Sequence, residues 1–318
     1  MRILFISNNN QNDFLSDAVF HGLKSNPENE VVDLNQLWYM YNDIDKSSLV
    51  NKFHGRGFTY YASLQNDHVD RTNIIEKIKN RYFDRVVYGN VYRCLDLFDL
   101  VSEIYPQDQI ILLDGQDEST INESMVNKGK YFKRELTELD SQKYPYVRPI
   151  SFAFPDTKLQ SSVPTKEKLL AQIIPGVMHT FIYNDEESYY NDYRESMFAY
   201  TWKKSGWDCL RHYEILGNDC IPIFLDIKHC PKTNCTTLPK DLLMEYYEKS
   251  GLVHIFDFDS PIEYDDRCTL VLNRDLSSIN NFEVNDESYE LYLEYLQKLK
   301  SYTKTNLTTL ELGNYILR

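Results

Sequence analysis

The residues whose chemistry is easiest to interpret lie between positions 202 and 226. Lys203 and Lys204 place two positive charges in a chain that has 34 basic and 48 acidic residues and a formal net charge of −14. Gly206 follows them, at or near the expected start of a helix. Exposed N–H groups at a helix start attract phosphate, and the guanidinium fork of Arg211 suits two oxygens of a diphosphate. The spacing therefore predicts a diphosphate site.

Aromatic and acidic side chains complete this predicted site. Trp202 and Trp207 flank the two lysines and could shield a ligand or stack on it. Glu214 lies on the following helix, where its carboxylate could accept hydrogen bonds from both hydroxyls of a ribose. This set of groups is typical of a nucleoside-diphosphate site. The alternative is a solvated helix face on which Arg211 and Glu214 form an ion pair at i, i+3.

The segment from Tyr193 to Leu242 resembles the C-terminal motif region of exostosin-like glycosyltransferases and of related GT-B enzymes. In such enzymes a helix with the pattern E-x-L precedes a strand with the pattern C-I-P-[IV], and together they form the donor nucleotide pocket. The matching residues are Arg194, Glu195, Ser196, Phe198, Trp202, Gly206, Trp207, Asp208, Arg211, Glu214, Cys220, Ile221, Pro222 and Ile223.

The resemblance implies a glycosyltransferase whose donor is a nucleoside-diphosphate sugar. It implies that Glu214 contacts the ribose of the donor and that Asp208 belongs to the same pocket. The final segment, 307–317, also resembles the closing helix of these enzymes. No cofactor is expected beyond the sugar nucleotide as co-substrate, and the acceptor is expected to be a hydroxyl of a glycan or glycoconjugate.

Candidates for further catalytic and donor-binding groups lie in the first half of the chain. Asp114 and Asp117 follow a predicted buried strand, and either could act as a general base, as could His54 in a glycine-containing loop. Each could equally be an ordinary loop residue. Lys133 and Arg134 could reach the donor diphosphate, or could form an exposed basic helix face.

The sequence gives little support for a metal site. Asp257 and Asp259 form a D-x-D pattern, which can chelate a divalent ion together with a diphosphate. Asp43 and Asp45 show the same pattern, which arises readily by chance in so acidic a chain. We therefore expect a metal-independent enzyme in which the lysines and Arg211 stabilise the leaving diphosphate.

Apolar runs alternate with helical stretches along the chain, which predicts an α/β fold with parallel sheets. The opening is a β-α-β unit without the G-x-G-x-x-G fingerprint of dinucleotide binding. The predicted strands are 2–7, 30–34, 84–90, 109–115, 148–154, 178–183, 198–202, 220–226, 253–258 and 269–273, and the predicted helices are 13–24, 70–82, 92–104, 130–136, 185–196, 206–217 and 239–249.

The polar stretch 156–165 is the best candidate for a linker between domains. We expect two facing Rossmann-like domains of the GT-B type with a cleft between them. Residues 1–158 would form the acceptor domain and residues 159–300 the nucleotide-sugar donor domain. Residues 301–318 would form a C-terminal helix that packs back toward the first domain.

Two other functions are compatible with the residues. A glycosyltransferase acting on modified nucleic-acid bases would need a basic groove, for which Lys77, Lys79, Arg81 and Arg85 are candidates, although the acidic net charge disfavours binding to nucleic acid. A sugar-nucleotide or glycan binding protein without turnover is the second alternative.

The chain has no apolar stretch of membrane-spanning length and no signal-peptide pattern, so we expect a cytoplasmic protein.

Overall fold

A computed structural model describes residues 1–66, 69–264 and 273–318. The chain forms two compact units. Unit 1 consists of residues 1–156, 232–236 and 308–318, and unit 2 consists of residues 157–231 and 237–307. The chain therefore enters unit 2 after Asp156, and its last helix belongs to unit 1.

Parallel strands and helices alternate in both units. The strands are β1 (Arg2–Ile6), β2 (Glu30–Leu34), β3 (Arg85–Tyr88), β4 (Ile110–Asp114), β5 (Lys130–Lys133), β6 (Arg148–Pro149), β7 (Lys168–Leu170), β8 (Ser196–Thr201) and β9 (Ile221–Phe224). The helices are α1 (Phe14–Ser25), α2 (Ile74–Lys79), α3 (Phe98–Ile104), α4 (Glu138–Lys143), α5 (Glu186–Glu195), α6 (Leu210–Gly217), α7 (Lys240–Lys249), α8 (Leu252–Ile255), α9 (Asp286–Asn306) and α10 (Thr309–Leu317).

The sheet of unit 1 has the strand order β2-β1-β3-β4-β5-β6, and every neighbouring pair is parallel. The chain moves from β1 outward to β2 and then returns to the other side of β1 to form β3. The loops after β1 and β3 consequently diverge at the carboxyl ends of these strands, where α/β sheets usually bind ligands.

Helices cover both faces of this sheet. On one face, Leu4 and Val86 of the strands share a buried core with Ile78 of α2 and Val101 of α3. On the other face α1 packs against α10. This packing is close because α1 has a glycine at position 22, where a Cβ atom would lie 1.7 Å from the Thr309 carbonyl oxygen.

Unit 2 contains a smaller parallel sheet with the order β7-β8-β9. All residues of β8 and β9 are buried. The ring of Phe198 in β8 contacts Tyr246 of α7 at a centroid distance of 6.2 Å and Tyr292 of α9 at 5.7 Å. It also contacts Phe282, which precedes α9, at 5.2 Å. Aromatic packing therefore joins the helices to the central strand.

Three of the predicted elements are wrong. Residues 130–133 form a strand because they pair in register with β4, whereas a helix was expected over 130–136. Residues 178–183 contain a short 3₁₀ turn, and Met178 and Ile182 are exposed, so this apolar run is not a buried strand. Residues 253–258 do not form the predicted strand. The chain leaves α7, turns at Gly251, which has a φ of 78°, and enters α8, so residues 253–255 are helical. Residues 269–272 of the strand predicted at 269–273 lie outside the described residues.

The α/β class with parallel, Rossmann-like sheets is confirmed. The arrangement as two facing domains with a cleft stays a prediction. Within the described ranges, no helix combines the length and the apolar character needed to cross a membrane.

Candidate functional site

The predicted donor segment lies at the carboxyl ends of the parallel strands of unit 2. The loop 202–209 connects β8 to α6, and Asp226 follows β9. Because β8 and β9 are parallel, both connections emerge at the same edge of the sheet. The loop that contains Phe181 follows β7, and Phe181 contacts Arg211 of α6. The fold thus assembles residues that are up to 45 positions apart (181 to 226) around one sheet edge.

The side chain of His212, in α6, fixes the loop 202–209 by hydrogen bonds and ring stacking. Its Nε2 lies 2.9 Å from the Trp207 carbonyl oxygen, its Nδ1 lies 2.7 Å from the Thr201 hydroxyl, and its ring stacks on Phe224. Since a carbonyl can only accept, Nε2 carries the hydrogen and Nδ1 accepts from Thr201. Burial lowers the pKa of His212 to about 4, so the ring is neutral near pH 7 and its role is structural.

Asp226 anchors the start of the same loop. Its carboxylate accepts the Lys203 backbone N–H at 3.1 Å and the hydroxyl of Tyr264. Burial raises the pKa of Asp226 to about 6. This residue lies two positions after the apolar strand β9, and nothing in its local sequence distinguishes it from an ordinary loop acid.

Arg211 is the most distinctive group at this edge. It is half-buried, its guanidinium lies over the Phe181 ring at 5.6 Å, and its Nε atom is buried without a hydrogen-bond partner in the described structure. Burial works to lower the pKa of Arg211, but the nearby Tyr193, Tyr189 and Glu214 outweigh it and raise that pKa, so the group stays charged. An anion would supply the acceptors that Arg211 lacks.

Glu214 lies one helical turn after Arg211. It is 7% exposed and accepts a hydrogen bond from the Tyr189 hydroxyl at 2.7 Å, and Tyr189 is linked in turn to Tyr193 at 3.0 Å. Glu214 is thus a buried carboxylate bonded to a tyrosine, and its charge contributes to raising the pKa of Arg211, so the two residues do not form the solvated helix face of the alternative interpretation.

The two lysines differ in their surroundings. Lys203 is half-buried, and its Nζ lies 5.2 Å from the centroid of the Trp207 ring, a cation–π contact. The Lys204 N–H donates to the Gly206 carbonyl at 3.0 Å, which closes a tight turn. Because of this turn α6 begins only at Leu210, so the expectation that Gly206 lies at or near the helix start is wrong.

Two predicted ligand contacts are better explained as structural. Trp202 is fully buried, so its ring cannot stack on a ligand at the surface as expected; its Nε1 atom has no hydrogen-bond partner among the described residues. Asp208 is 1% exposed and accepts a hydrogen bond from the Tyr213 hydroxyl at 2.6 Å. Trp207 is half-buried and remains the aromatic candidate for ligand contact.

In unit 1, Asp114 and Lys133 form a buried pair. Both side chains are fully buried, with 3.0 Å between Lys133 Nζ and Asp114 Oδ1, and the Tyr131 hydroxyl donates to the other carboxylate oxygen at 2.5 Å. Burial raises the pKa of Asp114. Lys133 lies in a strand and is neutralised by Asp114, so it is not part of an exposed helix face.

Arg134, Asp117 and His54 lie around a pair of phenylalanine rings. Arg134 is 2% exposed, is paired with Asp117 and with Glu135, and lies over Phe152 at 4.8 Å. Phe152 contacts Phe14, and Phe14 contacts the exposed His54 ring at 5.8 Å. The structure thus gathers these predicted residues on one side of unit 1, with Arg134 engaged by carboxylates.

A buried carboxyl beside β1 was not predicted from the sequence. Asp17 of α1 is fully buried and accepts hydrogen bonds from the hydroxyls of Tyr39 and Tyr61 at 3.1 and 2.9 Å. Burial, together with the charge of Asp13, raises the pKa of Asp17 to about 8. In the sequence this residue is an ordinary acid in the first turn of a helix.

No metal centre is evident. Within residues 1–66, 69–264 and 273–318, no three His, Cys, Asp or Glu side chains come together as metal ligands. In the D-x-D pattern, Asp257 accepts the N–H groups of Asp259 and Ser260, and Asp259 forms an ion pair with Lys228 at 2.6 Å.

No protein-family model matches the chain, and no curated protein matches its sequence significantly.

Proposed function

We propose that unit 2 binds a nucleoside-diphosphate sugar at the carboxyl ends of β8 and β9, and that the protein transfers the sugar to a hydroxyl of a glycan or glycoconjugate. This proposal rests mainly on the surroundings of Arg211. It is charged and half-buried, and its Nε atom lacks an acceptor among the described residues. Burying a charge without partners is unfavourable, and a diphosphate would remove that cost.

The groups around Arg211 fit the rest of a sugar nucleotide. Lys203 adds a second positive charge, and its Nζ atom lies 5.2 Å from the centroid of the Trp207 ring. Trp207 and Phe181 offer aromatic surface next to these cations. Glu214 is the carboxylate proposed to accept hydrogen bonds from the ribose hydroxyls. This combination of cations, rings and one carboxylate suits a nucleotide better than free phosphate.

The proposed chemistry follows from the charges. When the bond between sugar and diphosphate breaks, negative charge develops on the leaving diphosphate. Arg211 and Lys203 are positioned to stabilise that charge, which lowers the barrier without a proton transfer. The acceptor hydroxyl needs a general base, for which Asp117, Asp114 and His54 remain the candidates. The cleft between two facing domains, in which the acceptor would meet the donor, remains part of the proposal.

Calorimetric titration with a panel of nucleoside-diphosphate sugars tests the proposal. The wild type should bind at least one of them, and Arg211→Gln should bind it about tenfold to a hundredfold more weakly, since hydrogen bonds to charged groups contribute about 1.5–3 kcal/mol. Lys298→Gln, which removes one exposed positive charge from α9, is the control and should bind normally. If no donor binds, or if both variants behave alike, the proposal is wrong.

Glu214→Gln separates a nucleotide site from a simple anion site. This variant removes the charge but keeps an oxygen that can accept from Tyr189. Its affinity for the nucleotide should fall, while its affinity for inorganic pyrophosphate should stay the same. Equal effects on both ligands would remove Glu214 from the ribose site.

Turnover distinguishes an enzyme from a binding protein. Slow hydrolysis of the bound donor without acceptor, reduced in Arg211→Gln, is expected for the transferase.

The nucleic-acid alternative receives no support from its candidate groove, because Lys77 pairs with Asp70 at 2.9 Å and Lys79 pairs with Glu76 at 3.0 Å.

A further inference from the structure

Unit 1 contains an open cavity of about 630 Å³ that none of the predicted site residues line. Its walls come from the loop after β3, from residues 119–123 after β4, and from α4 and the residue that follows it. It therefore lies toward the carboxyl ends of the central strands, where α/β sheets bind ligands, and its volume is within the range of small-molecule sites.

The charges of the cavity argue against an anionic ligand. Its lining includes two carboxylates, Glu123 and Asp140, and one cation, Lys143. Lys143 is paired with Glu123 at 3.1 Å, and Asp140 accepts the Thr137 hydroxyl at 2.7 Å. Since the only positive charge of the lining is already neutralised, a phosphate, sulfate or nucleotide would find no complementary field there.

The aromatic side chains of the lining are accessible and oriented. Tyr92 is 46% exposed, and its hydroxyl donates to the Thr120 carbonyl at 3.3 Å. Tyr144 is half-buried, and its hydroxyl donates to Glu123 at 2.6 Å. Because each hydroxyl is engaged, each ring is held in one orientation, and stacking on it costs little side-chain entropy.

The remaining lining groups are short hydrogen-bonding side chains. Ser119 and Thr120 carry hydroxyls, and Asn122 carries an amide. A sugar ring presents C–H groups on its faces and hydroxyls around its edge. An aromatic ring surrounded by hydroxyl, amide and carboxylate groups matches that pattern.

We propose that this cavity, the Tyr92–Tyr144 cavity, binds an uncharged saccharide through stacking on Tyr92 and hydrogen bonds to Asn122, Glu123 and Asp140. The ring of Tyr144 is a wall of the cavity, and the Lys143 Nζ already lies over it at 4.7 Å from the centroid. The proposal does not depend on the nucleotide site of unit 2. A saccharide can bind here whether or not the protein transfers a sugar, and the two proposals can therefore fail separately.

The test is a binding screen of the full chain against neutral, sulfated and sialylated oligosaccharides, followed by titration of the best ligand. A neutral oligosaccharide should bind best. Tyr92→Ala should weaken its binding at least tenfold, and Tyr92→Phe should retain it within about twofold if the ring face carries the contact. Ile75→Ala is the control, because Ile75 is similarly exposed, at 47%, belongs to unit 1 and does not line the cavity.

Two further measurements keep the result unambiguous. Arg211→Gln should leave the affinity for the neutral ligand unchanged while it loses the sugar nucleotide, because Arg211 belongs to unit 2 and does not line the cavity. The proposal is overturned if no neutral saccharide binds, if anionic glycans bind better and depend on Lys143, or if Tyr92→Ala and Ile75→Ala bind equally well. Circular dichroism of each variant shows that an observed loss is not due to unfolding.

Discussion

The buried carboxyl of Asp17 should make the stability of the protein depend on pH in a direction opposite to that of an ordinary aspartate. Asp17 is fully buried beneath the hydroxyls of Tyr39 and Tyr61, and Asp13 lies nearby. The perturbation is Asp17→Asn, which keeps the shape of the protonated acid and one donor group but cannot ionise.

The expected magnitude follows from the pKa of this group. Burial raises it from 3.8 to about 8 in the folded protein. Between these values the folded state keeps a proton that the unfolded chain has lost, so the free energy of unfolding falls as the pH rises. The slope for one such group is about 1.4 kcal/mol per pH unit. From about pH 5.5 to about pH 7.5, Asp17 alone should therefore lower the free energy of unfolding by about 3 kcal/mol.

Urea denaturation followed by circular dichroism, repeated across this pH range, measures the effect. The stability of wild type minus that of Asp17→Asn isolates the group, because all other titrating residues are common to both proteins. This difference should decrease with rising pH and level off above about pH 8. A difference that is constant across the range would show that Asp17 is ionised throughout, and the reasoning would be refuted.

Three other predictions test the packing and the metal-independence of the protein. Gly22→Ala should destabilise the protein by about 1–3 kcal/mol or more, because the added Cβ would lie 1.7 Å from the Thr309 carbonyl oxygen. The melting temperature should therefore fall, and an unchanged melting temperature would contradict the α1–α10 packing. His212→Ala should cost about 1–3 kcal/mol and speed amide exchange in the loop 202–209, and equal exchange in both proteins would contradict its anchoring role. EDTA should leave donor turnover largely intact; loss of turnover that Mn²⁺ restores would instead assign Asp257 and Asp259 to a metal.

The regular elements were predictable where their apolar pattern and their end signals agreed. The helix α1 follows Asp13, which caps it through bonds to the N–H groups of Leu15 and Ser16, and β2 lies where the run at 30–34 predicts it. The strand β5 was missed because its four residues carry two lysines, and only pairing with β4 identifies it. Short apolar runs are ambiguous between helix and strand, as the helix α8 shows.

The candidate site was predictable in its location but not in its details. Clustered cations in an acidic chain indicate the edge at 202–226, and the fold places Lys203, Trp207 and Arg211 there. Exposure cannot be derived from residue type, so Trp202 was expected to reach a ligand although it is fully buried. Phe181 could not be linked to Arg211, since the two are 30 positions apart (211 − 181) and meet only through the fold.

The surroundings of Arg211 differ from those of the cations that are paired directly with carboxylates. Lys133, for example, has Asp114 at 3.0 Å, and Arg71 has Asp33 at 2.6 Å. With 48 acidic residues against 34 basic ones, a partner for each cation is easily found. Arg211 is instead held over an aromatic ring, with its Nε atom buried and lacking an acceptor. The Nε atom of Arg85 is also buried without an acceptor, but Arg85 is the first residue of β3, whereas Arg211 lies near the carboxyl ends of β8 and β9. A buried donor without an acceptor is unfavourable, and this position at the sheet edge is the reason that we propose an anionic ligand at Arg211.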